Sequence, residues 1–212
     1  MPADVLRLSP DGRELAPLLP APGARFVLGI TGSPGAGKST LAAFLAETCE
    51  AVVVPMDGFH LADVELVRRG LLDRKGAPET FDGWGYAALL ARVHRRSDHV
   101  VMAPMFERDL EQPIAGAIAV PPSAGLVVTE GNYLLLEAAP WPLVRSRLDA
   151  VWHVVTDDAL RLPRLLARHV ASGKSPEAAA DWVARVDQPN GVLIEAASRG
   201  ADLVLDLTDW MR

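Results

Sequence analysis

The chain has 212 residues, of which 50% are hydrophobic and 23% are charged, a composition typical of soluble globular proteins and unlike disordered or collagen-like chains. A formal net charge of −6 argues against a broad basic face for nucleic acid, and the single cysteine, Cys49, cannot form an internal disulfide bond. The sequence has no apolar run of about 18 residues, and its proline-interrupted start is unlike a signal peptide, so we expect a cytoplasmic protein without a membrane span.

The first clear elements are a strand, a glycine-rich loop, a helix and a second strand. Residues 1–24 predict only a short element. The apolar run "RFVLGI" is typical of a buried parallel strand, and the next segment places Leu41, Phe44 and Leu45 on one helix face. The predicted bounds are 25–30 for the first strand, 39–50 for the helix and 51–55 for the second strand.

The rest of the chain continues to alternate between helices and strands. Helices are predicted at 61–70 and 86–97 with a polar loop at 71–85 between them, strands at 99–104, 125–131, 150–155 and 202–207, and mostly helix over 158–198. This alternation predicts one α/β domain, residues 1–212, with the strands in a parallel sheet and helices on both faces.

The stretch "GSPGAGKS" fits the phosphate-loop pattern G-x-x-x-x-G-K-[ST] and lies between a predicted strand and a predicted helix. A glycine-rich loop lets successive backbone N–H groups approach a polyphosphate, and the helix that follows adds its positive N-terminal end. Lys38 would reach the β- and γ-phosphates, and the Ser39 hydroxyl would bind Mg²⁺. The predicted phosphate-binding residues are Gly32, Ser33, Pro34, Gly35, Ala36, Gly37, Lys38, Ser39 and Thr40.

Two acidic residues follow predicted strands. Asp57 comes just after the second strand, and Glu130 ends the strand at 125–131. Ligands of open parallel sheets gather at the carboxyl ends of the strands, so both acids are site candidates. We assign Asp57 as the base that deprotonates an acceptor hydroxyl and Glu130 as the Mg²⁺ ligand, although sequence alone allows the two roles to be exchanged.

The order "GSPGAGKST", "MDGFH", "GLLDRKGAPETFD" and "VVTEGNYLLL" resembles the P-loop kinase superfamily of uridine kinase, phosphoribulokinase and bacterial type I pantothenate kinase over most of residues 25–207. The segments "APMFERDLEQPI" and "EGNYLLL" resemble in particular bacterial kinases labelled as nucleoside kinases or fructose-transport-associated kinases. The resemblance implies a three-layer P-loop NTPase fold with a small helical lid. It also implies ATP and Mg²⁺ as cofactors, with the roles given above for Lys38, Ser39, Asp57 and Glu130.

Polar and aromatic residues near these acids are candidates for binding the acceptor. Arg108 stands where the pantothenate kinases have a histidine, and its guanidinium could hold a carboxylate or phosphate with two hydrogen bonds, or pair with Glu107 or Glu111 instead. This departure weakens the case for pantothenate. The candidate acceptor residues are His60, Phe81, Asp82, Arg108, Asn132, Tyr133 and Asn190.

The arginines of "DDALRLPRLLARHVASGKS" predict a lid at about 158–175 whose cations close over the transferring phosphoryl group. Ordinary solvated helix charges are the alternative interpretation. Pro163 fits a helix only in its first turn, so we expect Arg161 to precede the helix and Arg164 and Arg168 to be the catalytic pair.

Together these patterns predict an ATP-dependent kinase that acts on a hydroxyl of a small polar metabolite, such as a nucleoside, a sugar or a pantothenate-like compound. A nucleoside monophosphate kinase is one alternative. A nucleotide-dependent switch or assembly factor is another, although the N-K-x-D motif of GTPases is absent. The sequence leaves a homodimer open.

Overall fold

The computed structural model describes residues 5–21 and 23–210. Residues 1–4, 22, 211 and 212 of the predicted domain lie outside this description. The strands are β1 Val5–Arg7, β2 Phe26–Thr31, β3 Val52–Val53, β4 Val101–Glu107, β5 Gln112–Val120, β6 Leu126–Glu130, β7 Ala150–Val155 and β8 Leu203–Asp206. The α-helices are α1 Lys38–Cys49, α2 Asp63–Arg69, α3 Gly83–His94, α4 Trp141–Arg145, α5 Asp158–Ala171, α6 Pro176–Trp182 and α7 Gln188–Ala197.

Across the described ranges the main sheet has six strands in the order β1-β8-β7-β2-β6-β3, and every neighbouring pair is parallel. The strand before the phosphate loop, β2, lies between β7 and β6 in the middle of the sheet. The loops that follow β2, β3 and β6 therefore leave the sheet at the same edge, which is where parallel sheets hold ligands.

Side chains alternate between the two faces of the central strands, and each face carries its own hydrophobic core. Val27, Val127 and Val151 pack with the buried side chains of α3 and α4. Leu28 and Val128 face the opposite way and pack with the buried side chains of α1. This alternation is what a strand periodicity of two requires, and it confirms the predicted three-layer α/β fold with helices on both faces.

The strand predicted at 99–104 does not join the parallel sheet. It forms β4, which pairs antiparallel with β5 in a separate two-stranded sheet, and the sequence interpretation missed β5. The physical reason is the length of the connection, because only residues 108–111 separate the two strands. Antiparallel strands can be joined by a tight hairpin, whereas a parallel pair needs a crossover of a dozen residues or more.

Helix α5 differs from the prediction at its start. The Asp157 side chain accepts a hydrogen bond from the Ala159 backbone N–H at 2.8 Å, so the helix begins at Asp158. Pro163 is consequently inside the helix, and the expectation that Arg161 precedes it is wrong. Because proline has no backbone N–H, the helix lacks one backbone hydrogen-bond donor at Pro163.

Short helical turns replace the predicted polar loop at 71–85. Residues Leu72–Arg74 and Pro78–Thr80 form 3-10 turns, and α3 begins three residues earlier than expected because the Asp82 side chain caps it. Helices α6 and α7 are joined by a π-helical segment, Val183–Asp187. None of the helices within the described ranges is long and apolar enough to cross a membrane.

Candidate active site

A cleft of about 560 Å³ lies at the carboxyl ends of β2, β3 and β6. It contains most of the residues that the sequence predicted for phosphate, metal and acceptor binding. Those that line it are Pro34, Gly35, Ala36, Gly37, Lys38, Ser39, Thr40, Asp57, His60, Phe81, Arg108, Glu130, Asn132, Arg164 and Arg168. The residues predicted to bind phosphate and those predicted to bind the acceptor therefore share one cavity.

The glycine-rich loop turns tightly between β2 and α1. Gly32 has a φ of +152°, and a side chain there would collide with the Val154 carbonyl, so only glycine fits. Gly37 has a φ of +99° at the N-cap position, and α1 begins at Lys38. This geometry points the N-terminal end of α1 at the cleft, where its free N–H groups favour an anion.

Lys38 is nearly buried at the base of the loop. Its Nζ donates hydrogen bonds to the carbonyls of Gly32 at 2.8 Å and Ser33 at 3.1 Å. Burial lowers the pKa of Lys38 to about 8, while the nearby Glu130 carboxylate acts in the opposite direction. The Lys38 ammonium is thus held inside the loop, where the Glu130 carboxylate attracts it electrostatically.

Ser39 and Glu130 are in direct contact across the cleft. The Ser39 hydroxyl donates to Glu130 Oε1 at 2.9 Å, and Glu130 is buried. Burial and the neighbouring Asp57 raise the pKa of Glu130, and Lys38 and the Ser39 hydrogen bond oppose this shift. A hydroxyl and a buried carboxylate side by side are oxygen donors of the kind Mg²⁺ prefers, so the pair fits that ion.

Asp57 lies on the 3-10 turn Met56–Phe59 that follows β3, and its side chain is half-buried in the cleft. Gly131 packs so closely against Met56 that a side chain at Gly131 would collide with it, which brings the loops of Asp57 and Glu130 together. In the described part of the chain, no protein group forms a hydrogen bond or ion pair with the Asp57 carboxylate. This acid is therefore available to a ligand.

Aromatic rings form one wall of the cleft beside Asp57. The His60 ring lies 4.0 Å from that of Phe81 and 4.8 Å from that of Phe106, measured between centroids. His60 Nδ1 donates to the Asp57 carbonyl at 2.9 Å, and burial lowers the pKa of His60. The imidazole therefore presents a flat ring surface beside the acid.

Three arginines of α5 have two different placements. Arg164 and Arg168 are exposed and line the cleft. Arg161 is buried behind the phosphate loop, where it donates to the Pro34 carbonyl at 2.9 Å and to Asp158 at 2.8 Å. The first two cations face the space above the loop, while Arg161 fastens α5 to the loop.

Comparisons with known proteins agree with this geometry. No family model matches the chain. It is 32% identical over 194 residues to a Schizosaccharomyces pombe protein provisionally named a uridine kinase, a match that spans 85% of this chain and 83% of that protein. It is 33% identical over 195 residues to the Escherichia coli K12 protein YggC, spanning 89% and 80%. The crystal structure of a Silicibacter sp. TM1040 protein, provisionally named a fructose transport system kinase, superposes with a TM-score of 0.77 at 38% identity and covers 90% of this chain and 94% of that one.

The chain belongs to the P-loop kinase superfamily that includes uridine kinase and pantothenate kinase. The match to the pantothenate kinase of Streptomyces avermitilis is 32% over 133 residues and spans only 40% of that enzyme. A P-loop kinase fold, a phosphate loop and this set of relatives support an ATP-dependent kinase.

Three predicted acceptor residues of this P-loop kinase do not line the cleft. The Asp82 carboxylate accepts the Gly85 N–H at 2.8 Å, as a helix cap. Tyr133 is fully buried with its hydroxyl donating to the Gly76 carbonyl, and Asn190 is buried with its amide 3.5 Å from the same oxygen. Their polar atoms stabilise the 71–85 segment, so we leave them out of the acceptor site.

Two predicted phosphate-loop residues, Gly32 and Ser33, lie behind the cleft rather than on its wall. Ser33 Oγ donates to Glu195 at 2.7 Å, and Glu195 also pairs with His153 Nε2 at 3.1 Å. Sequence reasoning missed Glu195, because only the fold brings α7 against the loop.

Sequence reasoning also missed several residues that line the kinase cleft. Leu207 and Trp210 line the cleft, and Leu207 lies against Gly37 of the phosphate loop. The lining also includes Lys174, whose ammonium lies 4.8 Å from the Trp182 ring centroid, and His169 and Asp187, which share a hydrogen bond of 2.7 Å. No local motif marks these positions, since they come from α5, from the α6–α7 region and from the segment after β8.

Proposed function

We propose that this kinase transfers the γ-phosphoryl group of ATP to a hydroxyl of a small polar metabolite. One observation carries the proposal: a phosphate loop, the Ser39–Glu130 pair and the free carboxylate of Asp57 line a single cleft. Phosphoryl transfer mainly requires positioning and charge stabilisation, and these groups supply both.

The nucleotide half of the site would be built on α1. The loop amides and Lys38 would hold the phosphates, and Leu207 and Trp210, which line the same cleft, would offer an apolar surface to the base. Ser39 and Glu130 would hold Mg²⁺, which would neutralise phosphate charge during the transfer. Arg164 and Arg168 on α5 would stabilise the moving phosphoryl group, with residues 158–175 acting as the lid.

The acceptor half would be built around Asp57. Glu130 is buried and already accepts the Ser39 hydroxyl, whereas the Asp57 carboxylate has no partner among the described protein groups. This difference supports Glu130 as the metal ligand and Asp57 as the base, out of the two arrangements that sequence allowed. An unpaired carboxylate also suits a hydroxyl acceptor better than the phosphate of a nucleoside monophosphate, which it would repel.

The substrates of such an enzyme would be free small molecules in the cytoplasm, with no role for nucleic acid or a membrane, and a homodimer remains compatible with this function. His60, Phe81, Arg108 and Asn132 would contact the acceptor. A switch or assembly factor has no evident use for an open acceptor pocket of this kind.

The test is a screen of ATP consumption by the purified protein against nucleosides, sugars, vitamins, hydroxy acids and their phosphates. We expect at least one compound to stimulate turnover strongly, and Lys38→Ala to abolish that stimulation while the folded state persists by circular dichroism. Full activity of Lys38→Ala, or ATP turnover that no acceptor changes, would contradict the proposal.

A further inference from the structure

Among the residues that the structure describes, Arg108 is a cation of the acceptor half that no protein group pairs. Arg108 directly follows β4, is exposed and lines the cleft. Within the described ranges it has neither of the surface ion pairs that its acidic neighbours Glu107 and Glu111 could offer. Its five donors are therefore available to a ligand.

Arg108 belongs to the acceptor side of the cleft and not to the nucleotide side. It lies two residues beyond Phe106 of β4, and both side chains line the cleft. Phe106 in turn stacks on His60, and β4 packs over Gly58, next to the proposed base Asp57. Arg164 and Arg168, by contrast, belong to α5, which packs on Gly35 of the phosphate loop.

The other cation of this half is already neutralised. Lys75 donates to Asp63 Oδ1 at 2.7 Å and to the Glu111 carbonyl at 2.6 Å, and its ammonium lies 5.3 Å from the Phe106 ring centroid. Its side chain is largely buried, so this ammonium is fixed in place. In the described part of the chain, the unpaired positive charge beside the aromatic wall is thus that of Arg108.

We propose that the acceptor carries, besides the hydroxyl that faces Asp57, an anionic group that Arg108 binds. This inference rests on the proposed function and names the substrate class of that site: a hydroxylated carboxylate or a hydroxylated phosphate ester. A guanidinium binds either group with two parallel charge-assisted hydrogen bonds, which fixes orientation as well as affinity. With the anion held at Arg108, the hydroxyl end would extend toward Asp57 and the phosphate loop.

A rival explanation is that Arg108 only offsets the two acids of the site. Its charge does favour the ionised form of Glu130, which burial and Asp57 disfavour. The two explanations differ in what a substitution changes. Loss of an acid-compensating charge would affect all acceptors alike, whereas loss of an anion-binding group would affect only acceptors that carry the anion.

The experiment compares matched acceptor sets that share a carbon chain and differ in charge. The probes are glycerol, glycerate and glycerol 3-phosphate, and glucitol, gluconate and glucitol 6-phosphate, added to the broader screen. Turnover is measured for the unaltered chain, for Arg108→Gln and Arg108→Lys, and for Arg147→Gln, a control at an exposed arginine outside the cleft. Binding of the same probes is measured separately by calorimetry on Asp57→Asn with ATP and Mg²⁺ present.

We expect an anionic acceptor to be preferred, and Arg108→Gln to lower its kcat/KM by about 10- to 100-fold, the range of a charge-assisted hydrogen bond. Arg108→Lys should recover part of this loss, because lysine restores the positive charge but cannot form the two parallel hydrogen bonds of a guanidinium. Arg147→Gln should behave as the unaltered chain. Preference for neutral acceptors, or an equal loss for neutral and anionic ones, would overturn the inference while leaving the kinase function intact. Arg108-dependent binding of an anionic probe without any transfer would support the inference and contradict the proposed function.

Discussion

Gly58→Ala should separate acceptor positioning from nucleotide binding. Gly58 is adjacent to Asp57, and a Cβ built on it would lie 2.5 Å from the Pro104 carbonyl oxygen of β4. Ordinary contacts begin at 3.4 Å, so the Asp57 turn and β4 must move apart by roughly 1 Å. Backbone lies on both sides of this contact, so no flexible side chain can absorb the displacement.

The displacement originates in the acceptor half. The turn carries Asp57 and β4 carries Phe106. The phosphate loop is held by contacts within itself, such as the hydrogen bond from Lys38 to the Gly32 carbonyl. A misplacement of about 1 Å in a reacting group can lower turnover by about 100-fold. We therefore expect acceptor-dependent kcat/KM to fall by about that factor and the Kd for ATP to change less than threefold, a shift of about 0.6 kcal/mol or less.

The assay pairs steady-state kinetics with calorimetric titration of ATP. Gly125→Ala is the matched control, because a Cβ at Gly125 meets nothing within 4 Å. Gly58→Ala turnover close to that of Gly125→Ala would refute the packing argument. An equal loss of ATP affinity would refute the division of the cleft into two halves.

Three further changes test other parts of the site. Glu130→Gln should raise the Mg²⁺ concentration for half-maximal turnover by about tenfold or more, since it removes a charged oxygen ligand. An unchanged Mg²⁺ titration would mean that Glu130 does not bind the metal. Glu195 accepts a hydrogen bond from His153, which lowers the pKa of Glu195 below its usual value of 4.5. The ionised carboxylate therefore stabilises the fold above pH 4.5, and this stabilisation is lost as the pH falls through the lowered pKa. Glu195→Gln should therefore flatten the acid side of the Tm-against-pH curve, and superimposable curves would count against the pairing. Tyr86→Phe removes a buried hydrogen bond to Thr129 of 2.5 Å and should lower the free energy of unfolding by about 1 kcal/mol in urea titrations, whereas no change would mean that the bond contributes nothing net.

Local sequence patterns were sufficient to predict the parts of the fold that are formed by contiguous residues. The glycine-rich loop with Lys38 and Ser39 is such a part, because its strand, turn and helix are contiguous. The alternation of strands and helices likewise predicted a parallel sheet with two covered faces, and the acids after β3 and β6 reached one cleft because parallel strands end at one edge.

Features that depend on contacts between distant segments were harder to predict. Strand β1 has three residues and is ordered by pairing with β8 near the other end of the chain. The β4–β5 hairpin was missed because the run "QPIAGAIAV" carries small residues, a glycine and a proline, which are weak strand signals. Asp82 was predicted to bind the acceptor, but its side chain caps α3, and Arg161 was expected before α5, but it lies inside the helix and holds the phosphate loop.

The most direct test of hydroxyl phosphorylation is a comparison of the Asp57→Asn variant with the unaltered chain, using the acceptor that the screen identifies. Asp57→Asn keeps the shape of the side chain and removes its ability to take a proton. We predict that acceptor-dependent transfer falls by about 100-fold or more, as expected for loss of a general base, while ATP affinity stays within about threefold. Transfer at the unaltered rate by Asp57→Asn would contradict the account, because the base would then have to be another group.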